Sequence, residues 1–241
     1  MKSIREAFRA PDAEFSPFPF WFLNGDLNDG ELERQLNDFL SHGVRAVVLH
    51  PRVGVPESLC YLSDAFLDRI ESIVSFAASH GMRVLLYDEG MYPSGSAHGM
   101  VVQENPAYAA RGLCLRAPGD APEEGDKTLA LIALVRSGEG FVPGSARVLE
   151  PEEVPSADDT ECRLVAGFTR GTIRGIHENE DDGQPNAPAA ADLLNAEAMQ
   201  AFIRLTHQRY YDRLKPYFGE TILGFFTDEP SPTGRAGRRG M

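Results

Sequence analysis

The chain has 241 residues, a net charge of -13, 42% hydrophobic residues and 24% charged residues. That is enough for one large domain or two small ones around a sizeable core. The acidic balance argues against a nucleic-acid binder, whose affinity rests on Lys and Arg neutralising phosphates, and against docking on anionic membranes. No apolar run approaches the length of a bilayer span.

The N-terminal stretch "MKSIREAFRAPDAEF" has no apolar core and no small-residue cleavage site, so a cytoplasmic protein is expected. Cys60, Cys114 and Cys162 lie far apart, with no CxxC pair. Neither a disulfide framework nor a zinc knuckle is supported, and buried reduced thiols are expected.

In chain order, "FPFWFLNG" (Phe18 to Gly25) reads as a buried strand ending in an Asn-Gly turn. Leu32, Leu36, Phe39 and Leu40 then recur at helical spacing. Asn28 or Asp29 is the expected N-cap and Gly43 the terminator. "VRAVVLHP" is a second strand. Phe66, Ile70, Ile73, Val74 and Ala77 mark a second helix, capped by Ser63 and ended by Gly81. "MRVLLYDEG" is a third strand. Strands separated by helices predict parallel pairing, and strands without polar alternation predict burial on both faces.

The stretch "SGSAHGMVVQENPAYAARG" predicts irregular chain with short helices broken at Pro106. From Arg111 to about Arg174, short apolar runs are separated by acidic, Gly- and Pro-containing turns. This predicts an inserted antiparallel β subdomain. "HENEDDGQPNAPAA" follows as a polar loop. A third helix, capped by Asn195, places Met199, Phe202, Ile203, Tyr210 and Leu214 on one face and leads into "TILGFF", a fourth buried strand. The expected organisation is therefore 1–110 for three β/α units, 111–175 for the insertion, and 176–241 for loop, helix, fourth strand and tail.

Each apolar strand ends in polar residues: Asn24; His50 and Arg52; Tyr87, Asp88 and Glu89; Asp228 and Glu229. Sites in parallel α/β folds are built at this strand edge. Simpler roles stand beside functional ones. Asn24 suits a turn, His50 suits a sheet-edge hydrogen bond, and Arg52 suits pairing with Asp88 or Glu89. Trp21, inside an apolar run, suits the core. Glu229 suits a solvated loop. No metal-ligand spacing, Walker loop or dinucleotide fingerprint is present. His42 and His80 end helices, where they complement the dipole.

The motifs "WFLNG", "YDEGMYPSG" and "FFTDEP", in this order, resemble the catalytic domain of glycoside hydrolase family 106, the α-L-rhamnosidase-like proteins. The resemblance covers most of the chain outside the β insertion. It implies a (β/α)8 barrel of which about four β/α units are present. It also implies cleavage of a glycosidic bond, with plant or microbial rhamnosides as the leading substrates and Glu229 as general acid. Trp21, Asn24, His50, Arg52, Tyr87, Asp88, Glu89, Tyr92 and Asp228 are the positions expected to contact or orient a carbohydrate substrate, with Asp228 expected to be orienting. No cofactor is required by the sequence, and the family can bind calcium, though no ligand can be placed here.

A full barrel needs eight strands, and both retaining and inverting glycosidases ordinarily need two carboxyl groups. This chain reaches four strands, so an incomplete catalytic domain is expected, with self-association or a chain supplying further strands. The alternative is a non-catalytic carbohydrate-binding or assembly module. A lyase or aldolase is weakened by the absence of a strand-tip lysine.

Overall fold

The structure is a computed structural model. It describes residues 3–117, 120–121, 123–150 and 152–237. Residues 1–2 and 238–241 lie outside the described residues.

Four strands form a parallel sheet in the order β1 (Phe20–Leu23), β2 (Ala46–Pro51), β3 (Arg83–Tyr87) and β9 (Ile222–Phe226). After the short helix α1 (Ile4–Arg9), helix α2 (Asp29–Ser41) joins β1 to β2, and α3 (Asp64–Ser79) joins β2 to β3. The Asn28 side chain caps α2 by accepting from the Gly30 amide at 3.0 Å, and Ser63 caps α3 by accepting from the Phe66 amide at 3.2 Å. Gly43 and Gly81 follow the helix ends at φ +78° and +67°, where a side chain would be strained.

Alternation along the strands divides the sheet into two faces. Trp21, Leu23, Val47, Leu49, Val84 and Leu86 turn toward the helices. There they join Leu32, Leu36, Phe66, Ile70, Ile73 and Val74 in the main core. The other face carries Phe20, Phe22, His50, Tyr87 and Phe226, packed ring against ring. Burial on both faces holds for every residue of β2 but not for the edges. Phe20 is 42% exposed, Phe22 46% and Leu223 44%. Edge strands lack a neighbour on one side. The sheet is open, with β1 and β9 at its edges; eight-strand closure is not present in these four strands.

Between β3 and β9 the chain makes a long excursion. The short helix α4 (Met100–Glu104) leads to an antiparallel sheet of β4 (Arg111–Arg116), β5 (Lys127–Ser137), β6 (Gly140–Phe141), β7 (Arg147–Val148) and β8 (Asp159–Phe168). Its order is β4-β8-β5-β6, with β7 also on β5. The run "GFVPGSARVLE" becomes two two-residue strands around a turn at Pro143 and Gly144.

The return helix is α5 (Ala196–Ile203), a π-helical turn (Arg204–Gln208) and α6 (Arg209–Leu214). Ile203, expected on the buried face, is 54% exposed. Phe202, Thr206, Tyr210 and Leu214 are buried instead. A spacing of four drifts around an α-helix, and the wider π turn absorbs the drift. Ion pairs join the helices outside: Arg69 to Asp29 at 2.6 Å and Arg213 to Glu71 at 2.7 Å.

Among the described residues no helix is long and apolar enough to cross a membrane. The three cysteines are free. Cys162 is buried, but Cys60 is exposed and Cys114 half-buried, so burial of all three thiols does not hold.

Candidate active site

The strand tips of β3 and β9 are laced together. The β3 extension, residues 88–99, folds back over the tip, and the "TDEP" segment meets it. Tyr87 donates its hydroxyl to Asp228 Oδ2 at 2.7 Å. Thr227 Oγ1 donates to Asp88 Oδ2 at 2.5 Å, and Ser94 Oγ donates to Asp88 Oδ1 at 2.6 Å. Ser94 Oγ also accepts from the Asp228 amide at 2.9 Å, and the Ser94 amide donates to the Asp228 carbonyl at 3.0 Å. Tyr92 donates to Glu229 Oε2 at 2.6 Å.

The three carboxyl environments differ sharply. Glu89 is fully buried and accepts from the amides of Gly90 (2.8 Å), Gly95 (3.2 Å), Ser96 (2.7 Å), Ala97 (2.8 Å) and His98. Burial pushes this carboxyl up to about 7, against the downward pull of the donated amides. Asp88 is also buried. Loss of solvent raises its pKa, while Ser94, Thr227 and His207 oppose the rise. Glu229, by contrast, is exposed, and Tyr92 is its hydrogen-bond partner. Its φ of +37° is a left-handed conformation uncommon for a residue with a side chain, an outlier of the kind that concentrates at functional sites.

These placements correct several expectations. Asp88 and Glu89 are buried and turned into protein hydrogen bonds, not toward solvent. Asp and Glu are almost never fully buried unless paired in this way. Arg52 pairs with neither; its guanidinium stacks 4.6 Å from the Phe22 ring centre. Trp21 is buried on the helix side, its Nε1 donating to Gln35 Oε1 at 2.7 Å and its ring edge-on to Phe39. It therefore packs in the core, away from the laced tips. Tyr87, fully buried, reaches Asp228 and not solvent. Burial and the Asp228 hydrogen bond raise its phenol pKa further.

His50 is buried, with Nδ1 2.7 Å from the Pro51 carbonyl oxygen and its ring 3.9 Å from that of Tyr87. The carbonyl can only accept, so Nδ1 carries the hydrogen and Nε2 the lone pair. Burial lowers its pKa and keeps it neutral. Asn24 is exposed at the end of β1. A pocket of 540 Å³ opens beside Tyr92, lined by Tyr92, Pro93, Ser231, Gly234, Arg235, Ala236 and Gly237. The Arg235 guanidinium lies 5.3 Å over the Tyr92 ring and is tied to Asp182.

Sequence reasoning missed His207, whose Nε2 lies 3.6 Å from Asp88 Oδ2. The π turn carries it there, and no helical period predicts that. It also missed Ser94, Thr227 and Arg235, ordinary residues whose roles arise only from folding. The described side chains bring together one group of three possible metal ligands, His98, His177 and Glu180. Calcium takes six to eight oxygen ligands, and two imidazoles do not fit it.

No family model matches the chain, and no curated protein matches it. One solved structure resembles it only faintly. The rhamnosidase from Novosphingobium sp. PP1Y aligns at TM-score 0.41 and 14% identity, over 76% of this chain. The chain spans 19% of that enzyme's length. A likeness at this level leaves the functional reading to the geometry of the chain itself.

Proposed function

We propose that this chain forms the acid-carrying part of a glycosidase site, with Glu229 donating a proton to the leaving oxygen of a rhamnoside-like glycoside. The observation that carries this reading is the setting of Glu229. It is an exposed carboxyl just beyond a parallel strand, in a left-handed conformation, bonded to Tyr92 beside the open Tyr92–Arg235 pocket. The carboxyl edge of parallel strands is where such folds assemble sites. A glycosidic oxygen is weakly basic, so the proton must arrive as the bond breaks. The motif resemblance to family 106 supports the same residue.

Tyr92 orients the acid and offers an aromatic face, and Arg235 offers donors to sugar hydroxyls. Asn24 and Arg52 are further polar groups at strand ends. Asp228 acts through Tyr87 and Ser94 as a positioning residue. The second carboxyl needed by retaining and inverting mechanisms alike is not supplied by Asp88 or Glu89, which are buried and committed. Turnover by this chain alone is therefore expected to stay far below enzyme rates.

The test compares the chain with Glu229→Gln on aryl α-L-rhamnosides of differing leaving-group basicity. The variant should lower the residual turnover of a poorly leaving phenol and leave that of a dinitrophenol, which needs no acid, nearly unchanged. An equal loss on both substrates, or none, counts against the assignment. Saturable rhamnose binding without acid-dependent turnover would favour the non-catalytic carbohydrate-binding module.

A further inference from the structure

We infer that His98, His177 and Glu180 form a binding site for one divalent first-row transition metal, of which zinc is the type. The site clasps the 88–99 loop to the segment that follows the antiparallel sheet. One donor atom from each residue lies within 4.8 Å of the other two. His98 Nε2 is 2.9 Å from Glu180 Oε2. All three side chains are largely buried: His98 and Glu180 at 14% side-chain exposure, His177 at 8% overall.

A histidine hydrogen-bonded to a glutamate would account for His98 and Glu180 alone. Three features go beyond that pair. First, His177 Nδ1 is 2.9 Å from the Val55 carbonyl oxygen, so Nδ1 carries the hydrogen and Nε2 keeps the lone pair. Metal-ligating histidines are oriented in this way by a partner on the other nitrogen. Second, the chain makes room for the donors with glycine. A Cβ at Gly175 would lie 2.1 Å from Glu180 Oε2, and one at Gly90 would lie 2.8 Å from His98 Cβ. Third, both strands of the clasp are anchored. The His98 amide is held by Glu89, and Glu180 Oε2 accepts from the His177 amide at 2.9 Å.

Two imidazoles and one carboxylate suit zinc and its neighbours better than calcium or magnesium. Ligand distances of about 2.0–2.2 Å put tetrahedral donors about 3.3 Å apart. The 2.9 Å edge is a hydrogen bond, so the metal takes the place of the His98 Nε2 hydrogen, which moves to Nδ1; the triangle opens slightly there and contracts by up to about 1.5 Å elsewhere. The fourth position falls to water. The 88–99 loop also carries Tyr92, so a bound metal would steady the partner of Glu229. The site itself does not depend on the role proposed for Glu229.

The experiment is calorimetric titration of the chelator-treated chain with zinc chloride, with cobalt as a spectroscopic probe. Circular dichroism of each metal-free variant checks folding. One zinc per chain is expected, together with the intense visible cobalt band of a tetrahedral site. His98→Ala and the near-isosteric Glu180→Gln should each weaken zinc binding at least about 100-fold. Zinc should raise the thermal midpoint of the wild type and not that of Glu180→Gln. Should His98→Ala fail to fold, Glu180→Gln decides. Sub-stoichiometric binding, equal affinity in folded variants, or a preference for calcium overturns the proposal.

Discussion

Glu89 and Glu229 are the same residue type at neighbouring strand ends, yet their surroundings give them opposite capacities. Glu89 is enclosed by five amides of the loop that follows it, and the loop is shaped around its carboxyl. Replacing it with alanine leaves those amides buried without their acceptor, each worth about 1–3 kcal/mol when unsatisfied. Glu89→Ala is expected to lose at least about 3 kcal/mol in urea denaturation. A loss below about 1 kcal/mol would mean that other contacts hold the loop. The pH dependence has a definite sign. Folding raises this carboxyl from 4.5 to about 7. Its contribution is thus fully present below pH 4.5 and is lost as pH rises through 7. The stability gap between wild type and variant should be wider at about pH 5 than at about pH 8.

At the scale of elements, the two "SHG" tripeptides show one local solution used twice. His42 and His80 occupy the C-caps of α2 and α3. Each ring Nδ1 donates to the carbonyl four residues back at 2.9 Å, and each preceding serine donates to the carbonyl three residues back at 2.8 Å. Both contacts converge on one carbonyl per helix, that of Asp38 or Phe76, which also accepts the histidine's own amide, and the following glycine takes the left-handed turn into the next strand. The opposite end of α3 depends on Ser63. Ser63→Ala should cost about 1 kcal/mol, read as a lower urea midpoint with unchanged slope. No change in midpoint would mean that solvent caps the helix equally well. The return helix follows a different rule. Its buried residues at 202, 206, 210 and 214 demand a wider turn, and that turn brings His207 to Asp88.

Taken whole, the molecule is an open parallel sheet covered by helices on one face, with an antiparallel sheet inserted between its third and fourth strands. The uncovered face presents Phe20, Phe22 and Leu223 to solvent. Apolar surface of this kind favours association, and two copies meeting by it would shield the rings. The net charge of -13 opposes such an approach until salt screens it. The sedimentation coefficient should therefore rise with protein concentration, more steeply in high salt, and Phe22→Ser with Leu223→Ser should flatten the rise. A monomer at all concentrations and salts would show that the face is stable in water.

Local pattern was enough to reveal strands, helices and caps, because period, capping residues and glycine stops act within a few positions. The parallel pairing of β1, β2 and β3 followed from the intervening helices, and the antiparallel sheet followed from short strands between turns. The strand-tip location of the polar residues was legible for the same reason. Which of those residues face solvent was not. Asp88 and Glu89 look as available in one dimension as Glu229. Their burial depends on the 88–99 loop folding back onto β9, contacts between residues far apart in the chain. The His98–His177–Glu180 cluster has no recognisable spacing, since nearly eighty residues separate its first two members. Only the closure of the excursion between β3 and β9 brings them together. Local sequence sets backbone preference, but the environment of a carboxylate or an imidazole is made by its neighbours in space.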